Sequence, residues 1–228
     1  MKEQRVEAVE RALSIVECFS ATRRELTLTE LSEECGLYMS TILRLCGSLA
    51  RYGYIVREPT GKFRIGPSLW RLGSSYSRGF EQAEVVRPVL KALVKATKET
   101  ATFYVQDSSD RVCLYREVSP HPLRFDLDEG ARLPMDRGAA AHVLRAWSAS
   151  ATPEDRALRS AGFAESNSER TPEVAALAVP VLNAAGELRG ALGLSGPSFR
   201  FDATSRKAAL VELMAQAVGL GLRCSPSA

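Results

Sequence analysis

The run from Leu26 to Gly66, LTLTELSEECGLYMSTILRLCGSLARYGYIVREPTGKFRIG, limits what this chain can fold into more than any other stretch. Thr27-Leu28-Thr29-Glu30 is a capping box: the threonine oxygen accepts from the Glu30 N–H, and the glutamate reaches back to the threonine N–H. A helix therefore starts there. Leu28, Leu31 and Cys35 share one face, and Gly36 supplies the left-handed residue that ends it. After the turn Gly36-Leu37-Tyr38, a second helix is expected from Met39 to Gly53, burying Ile42, Leu43, Leu45, Cys46, Leu49 and Ala50. Tyr54 to Ile65 then alternates apolar and polar residues about Glu58-Pro59-Thr60-Gly61, the pattern of a hairpin. Two helices about a tight turn followed by a hairpin make a winged helix-turn-helix.

The side of the second helix left in water carries Ser40, Thr41, Arg44, Ser48 and Arg51, and Thr29 lies near the start of the first. Hydroxyl and guanidinium groups at the start of a helix in the major groove bond phosphates and base edges, and arginine bonds guanine in bidentate fashion. Arg44 is the first candidate for base readout. Arg57, Lys62 and Arg64 are expected to project along the wing toward phosphate. The other reading of the same pattern is a small packing domain with a solvated cationic hairpin.

Charge argues against a general affinity for polyanions. The 228 residues carry a formal net charge of +3, and in residues 1–66 ten Lys or Arg face nine Glu. DNA affinity must then come from local placement and from two domains acting together. Five cysteines, at 18, 35, 46, 113 and 224, show no C-x-x-C pair, and Cys18, Cys35 and Cys46 read as small buried apolar groups. No metal site or cofactor is expected. The first residues are charged throughout and no apolar run is long enough to cross a membrane, so a cytoplasmic protein is expected.

Residues 5–20 read as an amphipathic helix that packs Val6, Val9, Leu13, Val16 and Cys18 or Phe19 on the helix-turn-helix. Residues 67–82, with Leu69, Trp70, Leu72, Tyr76 and Phe80, read as a linker helix between a first domain over 1–66 and a second over 83–228. A helix over Glu84–Thr97 carries Pro88 and needs a kink or a first-turn position there. Strands are expected at Ala101–Gln106, Val112–Val118, Leu123–Asp128, Ala176–Leu182 and Leu188–Leu194. Helices are expected at Gly138–Trp147, Pro153–Ser160 and Ala203–Leu222. The fold class is therefore α+β, with an antiparallel sheet and helices packed on it.

Leu133-Pro134-Met135-Asp136-Arg137-Gly138-Ala139-Ala140-Ala141 is the informative loop of the second domain. Asp136 reads as an N-cap rather than an acid or base. The small residues beyond it let a ligand reach the backbone, and a helix N-terminus favours a carboxylate. Arg137 either adds a bidentate partner for that anion or pairs at the surface with Asp126, Asp128 or Glu129. Tyr104, Tyr115 and Phe125 form either an aromatic wall or ordinary core. Together these groups suit an aromatic or other apolar carboxylic acid. His121 and His142 are the only histidines and carry no catalytic or metal-binding spacing, so no enzyme is expected.

STILRL after the turn, RYGYIVRE entering the hairpin and FRIGPSLWRLG leaving it resemble the N-terminal domain of the IclR family of bacterial transcription regulators. GFAESNSERTPEVAALAVPVLNAAGELRGALGLSGPSFRF resembles that family's effector-domain signature. Where the family has Pro-Lys before the Ser-Thr pair, this chain has Tyr38-Met39. The resemblance implies a GAF-like small-molecule sensor in the second domain, with Asp136, Arg137, Gly138 and Ala139 in the segment that lines its pocket and with Ser166, Ala176, Gly193 and Ser195 at further pocket positions. It also implies a homodimer, or a dimer of dimers, on a roughly palindromic DNA operator, answering to a small organic acid and controlling catabolic genes. The alternative is a sensor that acts through a protein partner without DNA.

Overall fold

The computed structural model describes residues 6–20, 22–79, 82–125, 127–148 and 151–223. Phe80, Asp126 and Cys224 lie outside the described residues, as does the Tyr76 side chain. The chain divides into two compact units, 1–80 and 81–228.

The first unit runs α1 (Glu7–Glu17), β1 (Glu25–Leu26), α2 (Leu28–Cys35), α3 (Met39–Arg51), β2 (Ile55–Arg57), β3 (Phe63–Ile65) and α4 (Pro67–Gly79). The capping box forms as its sequence dictates: the Thr27 oxygen accepts from the Glu30 N–H at 3.2 Å, and the Thr27 N–H donates to the Glu30 carboxylate at 2.7 Å. Gly36 ends α2 with a φ of 63°, a conformation that glycine adopts without steric cost. The three strands form an antiparallel sheet in the order β1-β3-β2. Ile15, Leu26, Leu31, Ile42, Cys46, Leu49, Ile55 and Phe63 make one core beneath them.

Two expectations about this unit are corrected. On α1 the buried residue is Ile15, with Ala12 and Val16 packed beside it, whereas Val6, Val9 and Leu13 lie in water. The helix carries two apolar stripes, and the core takes the one centred on Ile15. On α3, Leu43 and Ala50 are also exposed, because the core takes the narrower stripe of Ile42, Cys46 and Leu49. Cys46 is buried as expected, while Cys18 and Cys35 are only half-buried, with their sulfurs 3.3 Å apart. Burial and the Cys35 thiol push Cys18 up to about 12, which keeps it a thiol at neutral pH.

The second unit runs α5 (Gln82–Thr97), β4 (Thr100–Asp107), β5 (Asp110–Glu117), β6 (Arg132–Pro134), α6 (Ala139–Ala146), α7 (Pro153–Ala161), β7 (Ala164–Asn167), β8 (Val174–Leu182), β9 (Leu188–Pro197) and α8 (Ala203–Arg223). Six antiparallel strands lie in the order β6-β5-β4-β9-β8-β7. Alternation along β8 and β9 divides the side chains between two faces. Leu177, Val179, Leu192 and Leu194 join Phe103 under α5 and α8. Ala178 and Ala191 join Tyr104, Cys113 and Leu133 under α6. Small residues on that second face leave space between sheet and helix, and the cavity lies there.

The strand expected at Leu123–Asp128 is absent among the described residues, and the third strand of this end is β6. The segment before β6 lies beside β5 without pairing as a ladder. The Arg116 N–H donates to the Glu129 carboxylate at 2.9 Å, and Gly130 turns back onto the Cys113 carbonyl at 2.7 Å. β1 and β7 were not expected, being too short for an alternating pattern to declare them.

Pairing of β4 with β5 slips by one residue between Phe103 and Tyr104. Tyr115 lies opposite Phe103, Cys113 lies opposite Tyr104, and Leu114 is the extra residue of a β-bulge. The slip carries Tyr115 to the α5 face, its ring centroid 6.4 Å from that of Phe103, while Cys113 and Arg111 face α6.

Candidate functional site

Two arrangements in the molecule have chemistry to offer. In the first unit it is the outer face of α3, where Ser40, Arg44, Ser48 and Arg51 recur at one side of the helix and are exposed. No described residue bonds or pairs with the guanidinium of Arg44 or Arg51. Thr41 is half-buried, and Thr29 is exposed on α2. Tyr38 precedes the helix with 86% of its surface in water and no side-chain cap, so the first N–H groups of α3 are available at its start.

The hairpin cations are distributed differently from the expectation of one projecting row. Register places Arg57 opposite Phe63, and its guanidinium lies over that ring at 5.6 Å. Arg64, one residue on, points to the other face and pairs with Glu58. Lys62 pairs with Glu25 at 3.6 Å. Exposed pairs of this kind are worth about 0–1 kcal/mol, so a phosphate competes readily for either cation.

In the second unit it is a cavity of about 60 Å³ between the sheet and the start of α6. Of the residues expected at a ligand, Tyr104, Phe125, Gly138, Ala139, Ser166, Ala176, Gly193 and Ser195 line it. Asp136 and Arg137 do not. They are exposed and pair with each other at 2.7 Å, which holds the Asp136 carboxyl below its ordinary range. Gly138, with a φ of 95°, turns the chain inward only after them and is itself the residue that starts α6. Asp136 is therefore not the N-cap, and Tyr115 is excluded from the wall by the bulge.

Gly138 has no side chain with which to cap α6, and its neighbours cap it instead. The Gly138 N–H donates to a Glu169 carboxylate oxygen at 2.7 Å, and the Ala139 N–H donates to Ser166 Oγ at 3.1 Å. The same Glu169 oxygen lies 2.8 Å from His142 Nε2, and Arg145 Nη2 lies 2.7 Å from His142 Nδ1. Arginine can only donate, so Nδ1 accepts and Nε2 carries the hydrogen given to Glu169. Burial works to raise the Glu169 carboxyl, but the Gly138 N–H, His142 and Arg145 outweigh it and hold the group below its ordinary value.

Arg111, from β5, is the residue that loop-based reasoning missed. It is 3% exposed, and one terminal nitrogen donates to the Pro134 carbonyl. Its Nε is buried without a partner, and no carboxylate pairs with it among the described residues. Its guanidinium lies 5.7 Å from the centre of the Tyr104 ring, and a Cβ at position 138 would stand 3.3 Å from Nη2. Burial lowers its basicity from the ordinary arginine value. Arg170 lies over the Phe125 ring at 4.7 Å. The signal in the sequence was an arginine at an inward position of an alternating strand, but the bulge that aims it is a matter of register.

Two family models match this chain, the IclR helix-turn-helix domain over residues 8–59 and the bacterial transcriptional regulator IclR C-terminal domain over residues 152–220, together more than half of its length. The chain belongs to the IclR family. Among IclR-family relatives, it is 26% identical to the HTH-type transcriptional regulator BhcR of Paracoccus denitrificans over 223 residues, covering 86% of this chain and 80% of that one. It is 28% identical to the HTH-type transcriptional regulator XynR of Escherichia coli over 223 residues, covering 86% and 88%. The fold is shared with the IclR transcriptional regulator from Alicyclobacillus acidocaldarius, at a TM-score of 0.80 and 19% identity over 97% of this chain and 100% of that one. An IclR homolog from Microbacterium hydrocarbonoxydans, complexed with 4-hydroxybenzoate, matches at a TM-score of 0.76 and 21% identity over 96% and 100%. The protein is thus an IclR-family transcription regulator with a DNA-binding helix-turn-helix. No helix among the described residues is long and apolar enough to cross a membrane.

Proposed function

We propose that this regulator senses a small organic acid, aromatic or otherwise apolar, in the cavity beside α6, and answers by changing its hold on a roughly palindromic operator that controls catabolic genes. The observation that carries the reading is Arg111. A buried guanidinium with an unpartnered Nε and no carboxylate bonded to it among the described residues leaves its charge only partly compensated, and an anionic ligand would supply what the fold withholds. Tyr104 and Phe125 offer ring faces to the apolar part of such a molecule, and Ser166 and Ser195 offer hydroxyls. The relative with 4-hydroxybenzoate bound is in keeping with this class of ligand.

On the DNA side, Arg44 and Ser40 would read base edges, Thr29, Thr41 and Arg51 would bond phosphate, and Lys62 and Arg64 would exchange their carboxylate partners for phosphate. Arg57, held over Phe63, would support the wing. A homodimer, or a dimer of dimers, would present two copies of α3. Val6, Val9 and Leu13 on α1 and Trp70 on α4, all large and in water, support association through these helices. A soluble protein working in the cytoplasm fits this role.

The test is an anisotropy titration of the purified protein against its own upstream intergenic DNA, at fixed salt, with and without a panel of carboxylic acids and their neutral amides. Saturable binding that an acid weakens or strengthens, and that an amide does not, is the expected result. Specific DNA binding that no acid alters would remove the acid-sensing half of the reading.

A further inference from the structure

Glu169 occupies the place where the backbone of this pocket is best able to hold an anion. Its carboxylate sits on the Gly138 N–H at the start of α6, 2.7 Å away, and lines the same cavity as Arg111. It makes no ion pair with Arg111, whose Nε stays unpartnered. The carboxylate therefore satisfies the helix terminus and leaves the deeper cation without a bonded carboxylate among the described residues.

Space leads to the same point. The cavity holds about 60 Å³, whereas an apolar cavity of roughly 150 Å³ is what accommodates benzene. A ring-sized acid fits only if a lining group leaves. The walls are mostly sheet and helix, which do not yield, but Glu169 stands on the connection between β7 and β8 and keeps 33% of its side chain in water. That connection is fastened at its two ends, by the Ser168 N–H to the Val174 carbonyl at 2.8 Å and the Glu173 N–H to Ser168 Oγ at 3.1 Å. Both end residues hold positive φ, 56° at Ser168 and 60° at Glu173, a region costly for residues other than glycine. Glu169 and Arg170 lie between the fastened ends, and both line the cavity.

We propose that Glu169 is a built-in competitor for the ligand: its carboxylate holds the start of α6 until an incoming anion, drawn by Arg111, displaces it. Binding would then release Glu169 from both Gly138 and His142 in one exchange. The competitor sets a threshold, since a molecule without an anionic group cannot replace the charge it removes from the helix terminus. This inference rests on the acid-sensing reading of the pocket.

The experiment is calorimetric or fluorescence titration of the full chain with 4-hydroxybenzoate, benzoate and pyruvate, and with 4-hydroxybenzamide as the neutral control. The proteins are wild type, Glu169→Gln, Glu169→Ala and, as a control for charge on the same connection, Glu173→Gln. Removing the competitor should tighten acid binding by about tenfold or more, in the order Ala above Gln above wild type. Glu173→Gln should change it by less than about twofold. Acids that bind the Glu169 variants but not wild type also support the proposal. If an acid binds wild type and the Glu169 variants hold it equally or less tightly, Glu169 is only a helix cap, and the inference fails while the acid-sensing reading stands. Equal gains from Glu173→Gln would reduce the effect to general electrostatics and overturn it as well. Failure of all four proteins to bind any acid would remove both readings.

Discussion

The outer face of α3 and the cavity beside α6 both end in arginine, yet they hold it in opposite ways. Arg44 stands in water with no partner among the described residues, its charge screened by solvent. Arg111 is buried among Tyr104, Pro134 and Gly138, its charge fixed and partly unsatisfied. An exposed arginine costs the free protein little and gains its energy only on contact, which suits readout of a long charged polymer. A buried one is maintained at a cost to the fold, which suits a site that must admit one kind of small molecule and refuse others.

The largest effect that sharpens this contrast is expected from Arg111→Met. Loss of a buried charge partner costs about 2–5 kcal/mol of affinity, so binding of an acid seen in wild type should fall by more than about tenfold in calorimetry. Chemical denaturation should meanwhile show no loss of stability, or a small gain, because an only partly compensated charge has been removed. A clear loss of stability would mean that Arg111 is structural. Arg44→Ala should come next. Operator affinity by anisotropy should fall by about 1–3 kcal/mol while acid binding and melting stay unchanged; an unaltered operator affinity would break the assignment of α3 as the reading helix.

These two residues were not equally legible. Arg44 follows from helical period alone, since a pattern of four local positions decides which side of α3 faces water. The capping box at Thr27 and the stop at Gly36 are equally local. Arg111 and Glu169 depend on events distant in the chain: a one-residue slip against β4, and a contact between Glu169 and Gly138 that joins separate elements. The loop 133–141 does reach the cavity, through Gly138 and Ala139, but its most conspicuous charges, Asp136 and Arg137, neutralise each other outside. On α1 the periodicity was correct in kind and wrong in phase, because two apolar stripes were present and nothing local ranks Ile15 above Val9.

Smaller effects separate the units further. Thr27→Ala removes the capping box of α2 and should lower the stability of the first unit by about 1 kcal/mol, read as a shift of its melting without change in ligand affinity. In the second unit the corresponding box joins Thr152 and Asp155. Burial works to raise the Asp155 carboxyl, but the Thr152 bonds and Arg145 hold it below its ordinary value. A carboxyl lowered by folding stabilises above its unfolded value, about 3.9, and that contribution is lost as pH falls through the folded one. Asp155→Asn should flatten this acid-side loss in denaturant titrations from pH 6 to 3, and an unchanged slope would exclude Asp155 as its source. The smallest effect is expected for Lys62→Ala, which gives up a surface pair with Glu25. Stability should move by less than about 0.5 kcal/mol, and the slope of log affinity for DNA against log salt should drop by about 0.9 if Lys62 meets phosphate.

The bulge at Leu114 acts like an insertion in a reading frame. Upstream of it, Arg111 and Cys113 are spelled on the ligand side; downstream, Tyr115 is spelled on the side of α5. Were the bulge to smooth out with Leu114 still in the pairing, Arg111, Cys113 and Tyr115, each two apart, would share one face. Either Tyr115 would then turn toward α6, or Arg111 would be driven into the apolar layer beneath α5. Deleting Leu114 has no such effect: Cys113 and Tyr115 become neighbours and keep their opposite faces, so the hairpin can lose that codon with its two sides still spelled as they are.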